Sequence, residues 1–197
     1  MTSGQSANGP ARADLRLVPP LDDLALELRL AVGDVVVYAC HGIGCVEARC
    51  DSGGGPPETV VLLFESGLKV TLPVALARGA LRPLSSELEV ERVRRTLSAD
   101  ASPCIESWSR RFRSIRDKVT AGRATELAEV VRDGLHRERQ LAAGATGRTA
   151  APSERHLYLH ARKLLAAEIA CARGIDAVEA DAWIVEQIGE PTRTSRD

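Results

Sequence analysis

The chain has few aromatic residues and no long apolar segment. Two tryptophans, two tyrosines and two phenylalanines make up 3% of its 197 residues. No uninterrupted apolar run approaches the roughly 18 residues that a membrane-spanning helix needs. Near the start of the chain, no charged segment is followed by an apolar core, so we expect no secretory signal. These absences favour a cytoplasmic protein that does not bind a membrane.

Cysteine is also scarce, and its spacing does not suit a metal site. Five cysteines are an odd number, and without a sign of secretion they are expected to be reduced thiols. Cys40, Cys45 and Cys50 lie close to His41. If this region is extended, Cys45 points to the opposite face from the other two cysteines. Structural zinc sites also prefer closer Cys-x2-Cys pairs. We therefore expect neither a metal nor another cofactor.

The sequence also lacks motifs of catalysis. Its four histidines are not accompanied by a nucleophile motif, a paired-carboxylate pattern or a phosphate-binding loop. His156 and His160 are one helical turn apart, but they have no third ligand nearby and are expected on an exposed face. Gly42-Ile43-Gly44 is not followed by a helical pattern, so we expect it to form a turn. The sequence predicts a protein that is not an enzyme.

The charged residues balance overall but are unevenly distributed. Twenty-six basic and 27 acidic residues give a net charge of −1. Between Trp108 and Arg173, 14 basic residues stand against seven acidic ones, whereas residues 31–80 carry three basic and five acidic residues. The basic half favours a polyanion as its partner, and the mildly acidic half favours a protein. The alternative is a solvated arginine-rich surface.

Residues 32–83 contain short β-forming runs separated by turn residues. One of these turns, Glu65-Ser66-Gly67, is typical of a tight hairpin. The predicted strands are residues 34–38, 43–49, 59–64 and 68–72. Four or five short antiparallel strands bury little surface unless the sheet curls. They therefore predict a small Tudor-like or SH3-like β-barrel.

The hydrophobic spacing changes to a helical period after this region. Ser86 and Glu89 have the spacing of a capping box, and Thr125 is the predicted N-cap of a later helix. The five periodic stretches lie near residues 86–97, 108–122, 125–143, 157–165 and 178–188. The predicted fold class is therefore α+β, with the N-terminal barrel followed by a compact C-terminal bundle of about five helices.

Residues 107–113 place one of the two tryptophans beside three arginines. Such a segment can touch a nucleic acid in two ways, because arginines pair with phosphates while the ring packs against a base or sugar edge. Alternatively, Trp108, Phe112 and Ile115 have the i, i+4, i+7 spacing of a helix face that packs against a core. An intermediate arrangement buries Phe112 and Ile115 and leaves Trp108 partly exposed near the helix start.

Three segments of the chain form a specific pattern when they are taken together. They are residues 32–38 with His41-Gly42, residues 108–113 followed by 127–133, and residues 153–155 with 161–165. This pattern resembles the CarD/CdnL family of bacterial transcription factors, and the second segment is its most specific part. The resemblance implies an RNA polymerase-interacting Tudor-like domain at residues 31–84 and a helical DNA-binding domain at 85–190. A flexible lead at 1–30 and a flexible tail at 191–197 complete the predicted organisation.

The resemblance also implies which residues contact DNA. In the family, a tryptophan is held against the minor groove at the upstream edge of the transcription bubble, and Trp108 occupies the matching position. Arg110, Arg111 and Arg113 would then hold phosphates. The remaining predicted DNA contacts, at matching basic positions of later helices, are Arg137 and Arg155. None of these contacts would read base sequence.

The strand that binds polymerase in the family corresponds here to Lys69-Val70-Thr71-Leu72-Pro73. An edge strand of this kind can extend a sheet of the polymerase β subunit by pairing main chain with main chain. The chain departs from its relatives at Thr71, where some members carry a large or basic side chain. It also has Ala39 where a proline often follows the opening Val-Tyr pair.

The expected function is that of a transcription regulator without catalytic activity. It would dock on the RNA polymerase β subunit and stabilise melted promoter DNA through Trp108 and its arginines, as a nucleoid-associated protein of the cytoplasm. Nothing in the sequence demands a dimer, so we expect a monomer. The alternative is a divergent adaptor of the same family that binds a different protein and contacts DNA only weakly.

Overall fold

A computed structural model of the chain describes residues 28–50, 58–101, 107–143 and 150–189. Within these residues, five strands and one short helix come first, and five longer helices follow. The predicted lead at residues 1–30 lies outside the described residues except for its last three, and the predicted tail at 191–197 lies entirely outside them. Among the helices described, none is long and apolar enough to cross a membrane.

The strands form a five-stranded antiparallel sheet. The sheet and its short helix together are called the sheet domain below. The strands are β1 (Val35–Tyr38), β2 (Gly42–Cys50), β3 (Thr59–Phe64), β4 (Lys69–Pro73) and β5 (Leu81–Pro83). Their order across the sheet is β4-β3-β2-β1-β5, and every neighbouring pair is antiparallel. The predicted fold class is confirmed. The described strands β4 and β5 do not pair with each other, however, so the sheet is open rather than closed into a barrel.

The core of the sheet domain follows from the pleat of its strands. Along β3, Val60, Leu62 and Phe64 are buried and alternate with less buried residues, because successive side chains point to opposite faces of a strand. Helix α1 (Val74–Ala80), which the sequence did not predict, covers this core. Leu30 is fully buried in the same cluster. The last residue of the predicted lead is therefore part of the folded core.

A 3-10 turn, Ala39–His41, joins β1 to β2. In this turn Ala39 has a φ angle of 24°. The ring of proline fixes φ near −65°, so proline could not adopt this conformation. A proline at this position would therefore be incompatible with the turn that the chain forms.

The remaining helices form the helical domain. They are α2 (Glu87–Ser98), α3 (Trp108–Ala121), α4 (Ala124–Ala143), α5 (Pro152–Arg173) and α6 (Ala177–Ile188). The predicted capping box is confirmed, because Ser86 Oγ accepts from the N–H of Glu89 and the Glu89 carboxylate accepts from the N–H of Ser86. The predicted N-cap at Thr125 is wrong. Helix α4 begins one residue earlier, so Thr125 lies within its first turn.

Helices α4 and α5 supply most of the helical core. Leu127 and Val131 of α4 are buried in one cluster with Leu165 and Ile169 of α5. The ring of Tyr158 on α5 packs directly on the backbone of α4 at Gly134, where a Cβ atom would lie 2.4 Å from Cδ2 of the ring. Real Cβ atoms do not come this close to a ring carbon, so the contact between these helices requires glycine.

We expect Gly134→Ala to destabilise the protein by about 1–3 kcal/mol through overpacking, although alanine is favoured over glycine in helices by roughly 1 kcal/mol. Gly79→Ala in α1 is the matched control, because a Cβ atom there meets nothing within 4 Å. The control should leave the free energy of unfolding unchanged or raise it. Urea denaturation monitored by circular dichroism measures both variants, and equal stabilities would contradict the close packing at Gly134.

Candidate nucleic-acid interface and docking edge

Trp108 is the first residue of α3, and it is 48% exposed. A helical side chain leans toward the N-terminus of its helix, so a ring in the first turn projects beyond the helix end. The ring stacks on that of Phe112, with ring centroids 5.3 Å apart and an angle of 17° between the planes. Phe112 and Ile115 are partly buried, and Ile115 packs against the helical core. The intermediate arrangement that the sequence allowed is therefore the one present.

Arg110 and Arg113 lie on the exposed side of α3 and border an open groove. The groove runs along α3 to its C-terminal end and onto the start of α4. The other side chains that line it belong to Ser114, Asp117, Lys118, Ala121, Arg123 and Glu126. Four basic and two acidic residues thus share one surface. Its net positive charge can attract an anionic chain.

Arg123 is not among the predicted DNA contacts, although it is the cation closest to the end of α3. Its side chain is 69% exposed, and Nη2 lies 2.5 Å from Oε1 of Glu126. This hydrogen bond raises the pKa of the Arg123 guanidinium above its usual value. The only sequence signal was a basic residue directly after Gly122, the glycine that ends α3 in the left-handed conformation.

Arg111 points inward instead of onto the exposed side of α3. Its Nε donates to Oε1 of Glu154 at 2.8 Å, and its Nη2 donates to Oε2 at 3.3 Å. Arg137 of α4 approaches the same carboxylate, with 3.3 Å between its Nε and Oε1. Glu154 is only 5% exposed, and a buried carboxylate is stable only when it is paired. These three side chains therefore tie α3, α4 and α5 together.

Arg155, the next residue along α5, faces solvent. Its side chain is 62% exposed, and its Nε lies 3.2 Å from Oε1 of Glu138. The structure thus divides the residues predicted to contact DNA into two groups. The exposed group is Trp108, Arg110, Arg113 and Arg155, and the partly buried group is Arg111 and Arg137.

Strand β4, which coincides with the predicted docking segment, forms one edge of the sheet. Val70 and Leu72 pack against the core of the sheet domain, whereas Lys69 and Thr71 are exposed. Lys69 Nζ lies 2.6 Å from Oε1 of Glu47. Glu47 lies where the pairing of β2 with β3 is irregular. The outward face of the edge is therefore polar.

The register identifies the main-chain groups that β4 leaves open. The N–H of Val74 donates to the carbonyl of Glu58, and the carbonyl of Leu68 accepts from the N–H of Phe64. Even-numbered residues of this segment therefore direct both main-chain groups toward β3. Because these directions alternate along an antiparallel strand, Thr71 directs its N–H and its C=O away from β3. Among the described residues none pairs with this edge, so Thr71 offers a donor and an acceptor at its middle.

Metal ligands and cysteine thiols are the other reactive groups that the sequence offers. Within the residues that the structure describes, no three His, Cys, Asp or Glu side chains are placed to hold a metal ion. Burial raises the pKa of the Cys45 and Cys171 thiols. A raised pKa keeps a thiol protonated, which is the opposite of what an activated nucleophile needs.

Comparison with known proteins finds matches for both parts of the chain. Residues 30–85 match the family described as CarD-like/TRCF RID domain, and residues 92–185 match the family described as CarD, C-terminal domain. YdeB of Bacillus subtilis (strain 168), whose name describes it as a candidate transcription factor, is 26% identical over 148 residues. These residues are 73% of this chain and 92% of YdeB.

We expect Glu154→Gln to lower the free energy of unfolding by about 2 kcal/mol, because it removes the shared charge of two partly buried arginines. Glu91→Gln is the matched control. Glu91 also pairs with two arginines, Arg94 and Arg95, but on the exposed surface of α2, where solvent screens such pairs and they contribute little to stability. Urea denaturation at neutral pH compares the two. Equal losses would contradict a special role for the Glu154 junction.

Proposed function

The chain belongs to the CarD-like family of transcription regulators, and on this basis we propose that it docks on RNA polymerase and stabilises the open promoter complex. Strand β4 would bind the polymerase β subunit, and Trp108 with exposed arginines would bind DNA at the upstream edge of the bubble. The observation that carries the proposal is the half-exposed ring of Trp108 in the first turn of α3, a helix whose exposed side also carries Arg110 and Arg113.

The DNA contact follows from the chemistry of these side chains. An apolar ring inserted at the junction of duplex and melted DNA occupies the place of a base that would stack again on reannealing. The free energy of such unstacking is a few kcal/mol. Exposed guanidinium groups of the same helix bind phosphates whatever the base sequence. The contact is therefore with the minor groove and the backbone, and it slows closure of the bubble without selecting a promoter.

The predicted DNA residues have two different roles in this proposal. Arg110, Arg113 and Arg155 are exposed and contact phosphates, and Arg123 extends the basic groove beyond the end of α3. Arg111 and Arg137 bind Glu154 instead, so we assign them the task of holding the first turn of α3 in place. Trp108 then meets DNA from a rigid support.

The polymerase contact uses the open edge of the sheet. A strand of the β subunit would pair with β4 and take up the N–H and C=O of Thr71. Such main-chain pairing depends little on the side chain, which fits the small threonine at this position. Pro73 lacks an N–H and limits the pairing to the first part of the strand.

A second candidate function is an adaptor that binds another protein and contacts DNA only weakly. The involvement of Arg111 and Arg137 with Glu154 favours it, because it leaves fewer arginines for phosphates. The salt dependence of DNA binding separates the two functions, since each phosphate neutralised on duplex DNA adds about −0.9 to the slope of log K against log salt concentration.

We expect the wild-type protein to show a clear negative slope, and Arg110→Ala and Arg113→Ala each to reduce its magnitude by about 0.9. Arg95→Ala, on the exposed face of α2, is the control and should leave the slope unchanged. Fluorescence anisotropy with a labelled duplex at several salt concentrations measures these slopes. A flat response of the wild type would favour the adaptor.

We expect Trp108→Ala to shorten the lifetime of open promoter complexes by about tenfold relative to wild type. This corresponds to the loss of roughly 1.4 kcal/mol of contact between the ring and DNA. The control is Leu88→Ala, which truncates a similarly exposed apolar residue in α2. Lifetimes are measured by challenging preformed complexes with a competitor. If complexes with Trp108→Ala live as long as those with wild type, the proposed contact of Trp108 with DNA is contradicted.

We expect Thr71→Pro to weaken binding to RNA polymerase by about tenfold or more, because the docking strand loses one outward hydrogen-bond donor. Proline is tolerated at edge positions whose N–H faces solvent, so the sheet should remain folded. Thr71→Val keeps the N–H and should bind like wild type. Biolayer interferometry with purified polymerase measures the affinities, with circular dichroism as the test of folding. Equal affinities of both variants would contradict docking through this edge.

A further inference from the structure

A buried ion pair joins the sheet domain to the helical domain. Arg82 lies on β5 and Glu168 lies on α5. Nη1 of Arg82 donates to Oε1 of Glu168 at 2.5 Å, and Nη2 donates to Oε2 at 2.7 Å. Glu168 is only 2% exposed. Two parallel bonds between a guanidinium and a carboxylate fix direction as well as distance.

The same arginine also reaches the end of the helix that carries Trp108. Its Nη2 donates to the carbonyl of Gly122 at 2.8 Å, directly after the last residue of α3. On the other side of the pair, Ser85 Oγ donates to Oε1 of Glu168 at 2.6 Å. One side chain of the sheet domain is thus bonded to two helices.

Close backbone packing occurs at the same junction. A Cβ atom on Gly122 would lie 2.6 Å from Cα of Ala39, in the turn between β1 and β2. A Cβ atom on Gly42 would lie 3.1 Å from Cδ2 of Leu164 on α5. Contacts this close leave little room for the two domains to slide or rotate against each other.

The position of Trp108 is sensitive to this junction because α3 acts as a lever. The helix has 14 residues, so Trp108 lies about 20 Å from the end of the helix at Gly122. A rotation of about 10° at the junction would move the ring by about 3–4 Å, judged from the length of the helix. That displacement is comparable to the thickness of a stacked base.

We propose that the Arg82–Glu168 pair is a positioning element, which fixes Trp108 relative to the docking edge β4. This inference rests on the proposed function, because it explains how binding to polymerase would place the ring at the bubble. Stability alone accounts poorly for the pair, since well-packed apolar residues often stabilise a protein as much as a buried ion pair does. What the two parallel hydrogen bonds add is a fixed orientation of β5 relative to α5.

The test uses the full chain with Arg82→Lys. Lysine keeps the charge, but its single nitrogen cannot make both hydrogen bonds to Glu168 and the hydrogen bond to the carbonyl of Gly122. Arg94→Lys is the control, because Arg94 also binds a carboxylate through two nitrogens, but within α2. Spin labels introduced as non-canonical amino acids at the exposed residues Ser66 and Val178 report the distance between the domains.

We expect Arg82→Lys to widen the distribution of distances between the labels and to shorten the lifetime of open complexes several-fold. Affinities for polymerase alone and for duplex DNA alone should stay as in wild type. In a double variant with Trp108→Ala, the effect of Arg82→Lys on lifetime should vanish, because both changes act through the same ring. A role in stability alone would give additive effects. Arg94→Lys should change none of these quantities.

An unchanged distance distribution in Arg82→Lys would overturn the inference, and so would additive effects in the double variant. If Arg82→Lys does not fold, Ser85→Ala removes one bond to the same carboxylate and is judged by the same criteria. If the wild type itself does not prolong open complexes, the proposed function fails. The distance distribution then decides alone whether the pair fixes the domains.

Discussion

The two buried carboxylates of α5 hold the helix that carries Trp108 at both of its ends. Glu154 binds Arg111 in the first turn of α3, and Glu168 binds Arg82, which in turn holds the carbonyl of Gly122 just beyond the last turn. Buried carboxylates need partners, so the sequence must supply arginines at both places. The position of α3, and with it the position of Trp108, depends on these two contacts.

The support of α3 explains how a half-exposed tryptophan can keep a defined position. Leaving part of the ring in water forgoes burial worth about 25 cal/mol per Å², and stacking on Phe112 recovers a share of it. Core packing alone would favour turning the ring inward. An outward ring, held by ion pairs through a stiff helix, is the arrangement expected of a contact surface, and the edge of β4 is the second contact surface that we propose.

Local patterns in the sequence predicted the parts of the fold that depend on neighbouring residues. Strands β1 to β4, the capping box of Ser86 with Glu89 and the end of α3 at Gly122 all follow from short-range spacing, whereas the three-residue strand β5 was not predicted. The seven-residue helix α1 was too short to show a period. The inward direction of Arg111 and the burial of Glu168 depend on partners 43 and 86 residues away, so no periodicity could reveal them. The position of Thr125 shows that a polar residue near a helix start is not always its cap.

The most direct test of the account is the structure of this protein bound to RNA polymerase on a promoter, determined by electron cryomicroscopy. We expect a strand of the β subunit to pair with β4 at Thr71, while Trp108 of the same molecule contacts the minor groove at the upstream edge of the bubble. The two domains should keep the orientation that Arg82 and Glu168 define. Docking through another surface, or a Trp108 ring remote from DNA, would contradict the account.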